Sequence, residues 1–278
     1  MTIEAINPAS GEVVGRYEEH DDDRVDAILD DAHRTFLEWR RTDPARRAEL
    51  MRRAARLLGE RRDEYARLMA DEMGKPVTGG AAEADKCAWV CDYYADNAAS
   101  FLADEVIETD AARSYVSYRP LGAVLAVMPW NFPFWQVLRF AAPALMAGDV
   151  GLLKHASNVP GCALAIERLF RDAGFPEHAF RTLLVGSGRV DRVIDDPRVV
   201  AVTLTGSGPA GEAVASAAGA RVKKTVLELG GSDAYVVLED ADLASTVETC
   251  VTSRLINSGQ SCIAAKRFIV ADEVHDEF

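Results

Sequence analysis

The segment INSGQSCIAAKRF, residues 256–268, sets Cys262 among polar and small residues just ahead of a strand-like run. Structural cysteines usually sit among apolar neighbours. A thiol placed between Gly-Gln-Ser and the cations Lys266 and Arg267 suits a thiolate nucleophile. On spacing alone an inert cysteine is the commoner outcome, and it is the company of other residues that changes the ranking. Glu228 in LELGG is flanked by apolar residues and a glycine pair, so partial burial would raise its pKa toward that of a general base; a salt-bridged structural carboxylate would show the same pattern. TGSGPAG, with Gly206 and Ser207, is a glycine-rich turn whose amides and following helix N-terminus can hold a phosphate, although a plain tight turn looks alike. Lys154 and Ser157, three residues apart at a strand end, can take a ribose and its 2′-phosphate, which favours NADP over NAD; a surface lysine and a serine capping the next helix is the alternative. Trp135 and Arg139, four residues apart on one helix face, can form an apolar wall and a carboxylate clamp, or a helix arginine can simply pair with a structural acid.

These residues need elements to position them. In DDDRVDAILDDAHRTFLEWRR, Val25, Ile28, Leu29, Ala32 and Phe36 recur at helical spacing behind an acidic start. Asp43-Pro44 opens a further helix that Gly74 can close, and residues 79–102 form a third. Cys87 and Cys91 lie one turn apart there, but no second Cys or His pair accompanies them, so packing rather than metal binding is expected. Residues 112–120 alternate polar with aromatic or aliphatic side chains before Pro120, predicting an exposed strand or arm near 111–120, of the kind that often pairs with another subunit; a covered edge strand would show the same pattern. From residue 122 short apolar runs, GAVLAVMP, DVGLLKH, AFRTLLVG, VVAVTLTG and KTVLELGG, alternate with helix-like segments at 158–173, 189–196 and 209–219. That alternation predicts an open α/β domain with a parallel sheet, whose ligands bind at the strand carboxyl ends. Asn131, Lys154, Gly206 and Glu228 all fall at such ends. After Gly231 a strand AYVVLED, a helix through residue 257 and a strand RFIVAD follow, leaving Cys262 in a loop.

The whole chain sets bounds. Its 278 residues, 49% hydrophobic and 27% charged, suit a globular protein of two domains, and the net charge of −13 disfavours binding to nucleic acid or an anionic membrane. No apolar run is long enough for a bilayer span, and the start lacks the pattern of a secretory leader. Five scattered cysteines suit a reducing cytoplasm.

PWNFPFW, TGSGPAG, LELGG and NSGQSC, in this order and with these separations from the NPASGEVV start onward, resemble the aldehyde dehydrogenases. LKHAS, ELGGSDAYVVLED and GQSCIAAKRFIV are most similar to bacterial and archaeal succinate-semialdehyde dehydrogenases. The resemblance implies that Cys262 attacks an aldehyde, with succinate semialdehyde the leading substrate, to give a thiohemiacetal whose oxyanion is held by the Asn131 amide and the Cys262 backbone amide. It further implies that Glu228 activates the water that hydrolyses the ensuing thioester. Trp130, Asn131 and Leu229 would lie at the nicotinamide end of NADP or NAD, Lys154 and Ser157 on the adenosine ribose, Gly206 and Ser207 at the pyrophosphate. No metal is implied; a homo-oligomer is implied for the family at full length. An arginine that some semialdehyde dehydrogenases carry six residues before the nucleophile is Ile256 here, with Arg254 nearest.

On this basis residues 1–230 comprise N-terminal helices and an open parallel-sheet dinucleotide-binding domain, and 231–278 the start of a second α/β, catalytic domain that the family continues beyond Phe278. The expected activity is an NAD(P)-dependent aldehyde oxidoreductase; the alternative is a truncated, non-catalytic relative that binds a dinucleotide or pairs subunits.

Overall fold

A computed structural model describes residues 2–278. An antiparallel hairpin, β1 (Thr2–Ile6) and β2 (Val13–Glu18), leads into helix α1 (Asp22–Trp39). Asp21 caps α1 by accepting from the Arg24 amide, and the apolar stripe predicted from spacing is buried together with Trp39. Asp43 accepts from the Ala45 amide and Pro44 takes the first position of α2 (Pro44–Glu60). The single helix expected between Pro44 and Gly74 is in fact two: the chain breaks at Arg61 (φ −102°, ψ 16°) and resumes as α3 (Arg62–Met73), which Gly74 closes in the left-handed region. Gly59 weakens the end of α2, and Asp63 and Glu64 suit a fresh N-terminus, so the break falls where helix preference is lowest. Helix α4 (Val77–Phe101) packs on both.

The predicted arm contains a short pairing only: β3 (Glu105–Val106) against β4 (Tyr115–Val116), antiparallel and exposed. Then come β5 (Ala123–Met128), α5 (Trp135–Ala147), β6 (Val150–His155), α6 (Pro160–Asp172), β7 (Phe180–Thr182), α7 (Val190–Asp195), β8 (Val199–Thr205), α8 (Gly208–Ala220) and β9 (Lys224–Glu228). The five strands form one all-parallel sheet in the order β7-β6-β5-β8-β9, so the predicted open α/β architecture is what the chain adopts. β5 and β6 are almost wholly buried, as continuous apolar runs in a doubly covered sheet must be. Because β6 and β8 leave β5 on opposite sides, the strand order reverses there and opens a crevice at the carboxyl ends.

The chain next leaves this sheet. β10 (Ala234–Val237) pairs in parallel with β11 (Arg267–Val270) in a separate two-stranded sheet, with α9 (Leu243–Leu255) between them. Helix α9 ends two residues before Asn257, where the helical pattern was expected to stop, because the chain turns into left-handed conformation there. Among the described residues no helix is long and apolar enough to cross a membrane.

Candidate functional site

Strand ends β5, β8 and β9 deliver Trp130 and Asn131, Gly206 and Ser207, and Leu229 to one cleft of ≈ 430 Å³, and Cys262 lines its other side. The Cys262 loop reaches it through an unusual turn. Asn257 (φ 52°), Ser258 (φ 57°) and Gly259 (φ 77°) are consecutively left-handed, a conformation that disfavours serine most and glycine least. The turn reverses the chain after α9 and brings Gln260, Ser261 and Cys262 against the end of β5. Two hydrogen bonds hold it there. The Asn257 side chain donates to the Asn131 carbonyl at 2.8 Å, and the Asn131 Nδ2 donates to the Gln260 carbonyl at 2.7 Å.

Cys262 is half-buried, whereas Cys87, Cys91, Cys162 and Cys250 are buried. Burial pushes the thiols of Cys87, Cys91 and Cys162 well up, which suppresses their thiolates. Lys266 does not act on the Cys262 thiol as sequence proximity suggests: its Nζ donates at 2.7 Å to each of the Cys262 and Gly231 carbonyls and so ties the loop to the turn after β9. Asn131 retains a second Nδ2 hydrogen beyond the one given to Gln260, and its Oδ1 is buried without a partner among the described residues.

Glu228 departs from expectation. Its side chain is 54% exposed, and it lines a neighbouring cavity of ≈ 440 Å³ rather than the Cys262 cleft. Glu228 is the last residue of β9, the edge strand of the sheet, and its carboxylate stays open to solvent there. Arg139 lines the same cavity, with Nη2 4.0 Å from Glu228 Oε2 and 3.3 Å from Thr205 Oγ1. The arginine foreseen as a substrate clamp is thus paired with the foreseen base. Trp135 lines neither cavity, since its ring lies under Lys86 Nζ at 3.9 Å. Gln136 and Thr205, which the residue patterns did not single out, line both cavities and join them.

Lys154 and Ser157 stand at the end of β6, beyond the far side of β5 from Cys262. Partial burial lowers the Lys154 pKa, and the ammonium has no carboxylate partner among the described residues. Ser157 is exposed and does not cap α6; the Glu72 carboxylate does so instead, accepting from the Gly161 and Cys162 amides at 2.7 and 2.8 Å. Ser207 caps α8 through the Ala210 amide, and the Gly206 amide donates to the Glu228 carbonyl at 2.9 Å. A Cβ at Gly208 would meet nothing within 4 Å, so the mouth of this turn is open.

Two further groups support the loop after β5. His155 and the Lys75–Glu83 pair are buried and contact the backbone of residues 128–135. Glu83 had a legible signal: it shares the buried stripe of α4 with Gly80, Cys87 and Val90, a carboxylate at an apolar position.

A model of the aldehyde dehydrogenase family matches residues 1–278. A probable succinate-semialdehyde dehydrogenase (NADP+) of Synechocystis sp. is 58% identical over 278 residues, covering all of this chain and 61% of the relative. Succinate-semialdehyde dehydrogenase (NADP+) 1 of Mycobacterium tuberculosis is 53% identical over 281 residues, again covering all of this chain and 62% of the relative. Among solved structures, succinic semialdehyde dehydrogenase from Streptococcus pyogenes in complex with NADP+ superposes with a TM-score of 0.96 at 40% identity, over 99% of this chain and 61% of that one. The chain therefore spans about three-fifths of the length of the relatives it matches.

Proposed function

The chain belongs to the aldehyde dehydrogenase family, and from that premise we propose that it carries the nucleophile and cofactor-binding half of an NADP-dependent oxidation of an aldehyde, with succinate semialdehyde as the leading substrate. One observation supports this most: of five cysteines only Cys262 escapes burial, and it lies in the same cleft as Asn131 and the Gly206–Ser207 turn, which are more than fifty residues away in sequence.

The donor set fits a dinucleotide. Gly206, Ser207 and the open N-terminus of α8 suit a pyrophosphate, and the unpaired Lys154 ammonium with the free Ser157 hydroxyl suits a ribose bearing a 2′-phosphate. The names of the relatives, which specify NADP+, support the same choice. When bound, the cofactor supplies the acceptor for a hydride. The chain's own residues do the rest. The Cys262 thiolate forms a bond to the aldehyde carbon, and the electron pair of the C=O bond moves to oxygen, where the free Nδ2 hydrogen of Asn131 and the Cys262 amide stabilise it. Loss of hydride from that carbon leaves a thioester. Water then adds to the thioester as Glu228 takes its proton, and the C–S bond breaks to release the acid and the thiolate. For that last step Glu228 must swing away from Arg139 toward Cys262, a movement its exposure permits.

The test is formation of reduced cofactor, followed by its near-ultraviolet absorbance, from succinate semialdehyde with NADP or NAD. Turnover that is abolished in Cys262→Ala is the expected result. Absence of turnover with NADP still bound would overturn aldehyde oxidation by this chain and leave a dinucleotide-binding module.

A further inference from the structure

Lys75 and Glu83 form an ion pair with side chains only 3% and 2% exposed. Such a pair loses solvation on both partners and is a poor way to stabilise a core compared with apolar residues of equal volume, so its contacts need another explanation. Those contacts converge on one loop. Glu83 Oε1 accepts from the Phe134 and Trp135 amides at 2.8 and 2.9 Å and sets the start of α5, while Oε2 takes the Lys75 ammonium. Lys75 Nζ also donates to the Asn131 carbonyl at 3.3 Å and lies 4.3 Å from the centre of the Phe132 ring. Residues 131, 132, 134 and 135 are thus each held by one or other member of the pair. The same Asn131 carbonyl also receives the Asn257 side chain, from the loop that carries Cys262.

We propose that the Lys75–Glu83 pair and Asn257 are positioning residues that hold the Asn131 carbonyl from two separate segments, and so set the Asn131 side chain and the Cys262 loop relative to each other. None of the three lines the Cys262 cleft. The proposal rests on the aldehyde-oxidation reading for its kinetic consequence but not for its structural one. A peptide unit whose carbonyl is held by two donors has little freedom to rotate, so the Asn131 Cα–Cβ bond keeps a fixed direction and the side chain, itself bonded to the Gln260 carbonyl, stays beside Cys262.

The test uses Lys75→Met/Glu83→Gln, in which the glutamine carbonyl still accepts from Phe134 and Trp135 while the donor to Asn131 is gone, alongside Asn257→Ala on the half-exposed loop. The first readout is the rate at which iodoacetamide alkylates Cys262 in the native chain, followed by mass spectrometry; the other four cysteines are buried. The expected result is a change of about fivefold or more in each folded variant, with the two effects less than additive when combined. The second readout is kinetic. With succinate semialdehyde and NADP, kcat should fall about tenfold in each variant with KM little changed, and the loss should largely vanish when Asn131 is already alanine. A purely structural role would lower kcat equally in both backgrounds, and that result overturns the proposal. An unchanged alkylation rate in folded Asn257→Ala overturns it too, whether or not the core variant folds. A wild-type chain that does not turn over would refute aldehyde oxidation while leaving the alkylation rates to decide the positioning role.

Discussion

His155 is buried at the end of β6, with Nε2 2.9 Å from the Pro133 carbonyl and Nδ1 2.9 Å from the Ala156 amide. The neutral ring with its proton on Nε2 donates to Pro133 and accepts from Ala156, while the Met128 carbonyl, 3.2 Å from Nδ1, works against the effect of burial. Burial pushes its pKa down to about 4 from the ordinary 6.5. Below pH 6.5 the unfolded chain takes up a proton that the folded chain refuses. The stability this residue contributes is therefore complete above 6.5 and is lost as pH falls toward 4, at about 1.4 kcal/mol per pH unit. Urea titrations at pH 7 and pH 5 should differ by about 2 kcal/mol less in His155→Gln than in the parent, and an unchanged difference would contradict the assignment. Lys266 acts at the same scale but at the surface. Lys266→Met should cost less than about 1 kcal/mol of stability, since the ammonium is exposed, yet under the proposed reaction it should slow thioester formation by about threefold to tenfold as the Cys262 loop loses its tie to Gly231. Rapid-quench measurement of the acyl-enzyme checks the second part.

At the level of elements, the start of α2 was legible from Asp43-Pro44 and that of α1 from its acidic run; Asp21, Asp43 and Ser207 each accept from an amide two or three residues on, so their caps are local. For α6, expected over 158–173 and found over Pro160–Asp172, the helix was legible but its cap was not. Its cap comes from Glu72, some ninety residues earlier, whose carboxylate is buried and whose pKa is raised by that burial against the lowering effect of the two amides. Glu72→Ala leaves both amides unsatisfied and should cost about 2 to 4 kcal/mol, whereas Glu72→Gln keeps one acceptor and sheds the buried charge, so about 1 kcal/mol or less is expected. Chemical denaturation of the two variants separates these outcomes. The break at Arg61 had a local signal in Gly59, Asp63 and Glu64, whereas the early end of α9 was hidden, because it depends on where the following segment must go rather than on the residues within the helix.

Across the whole molecule, order is unevenly distributed. The central strands β5 and β6 are buried on both faces, whereas β10 and β11 form an isolated pair with Val236 61% and Ile269 50% exposed. Opening the small sheet exposes little new apolar surface, so its free-energy cost is low. Hydrogen exchange should therefore release the amides of β10 and β11 well before those of β5 and β6. Equal protection of the two sheets would show that residues 234–270 belong to the main cooperative unit. Cys262 sits in the weakly held part, which is why its ties to Asn131 and Gly231 matter.

The amino-acid sequence by itself determined the alternation of apolar runs and helical stripes, and with it the parallel sheet and the strand ends where Asn131, Gly206 and Glu228 stand. It also determined that Cys262 lies in a polar loop. These are local properties: side-chain period, glycine and proline placement, and the burial each run demands. Tertiary structure alone decided which of those residues meet. It brought Cys262 to Asn131 through three left-handed residues, turned Glu228 toward Arg139, left Trp135 under Lys86 and placed Lys75 beneath the Asn131 carbonyl. Each of those contacts joins segments far apart in the chain, and its geometry depends on how the helices and strands pack, which no window of sequence encodes.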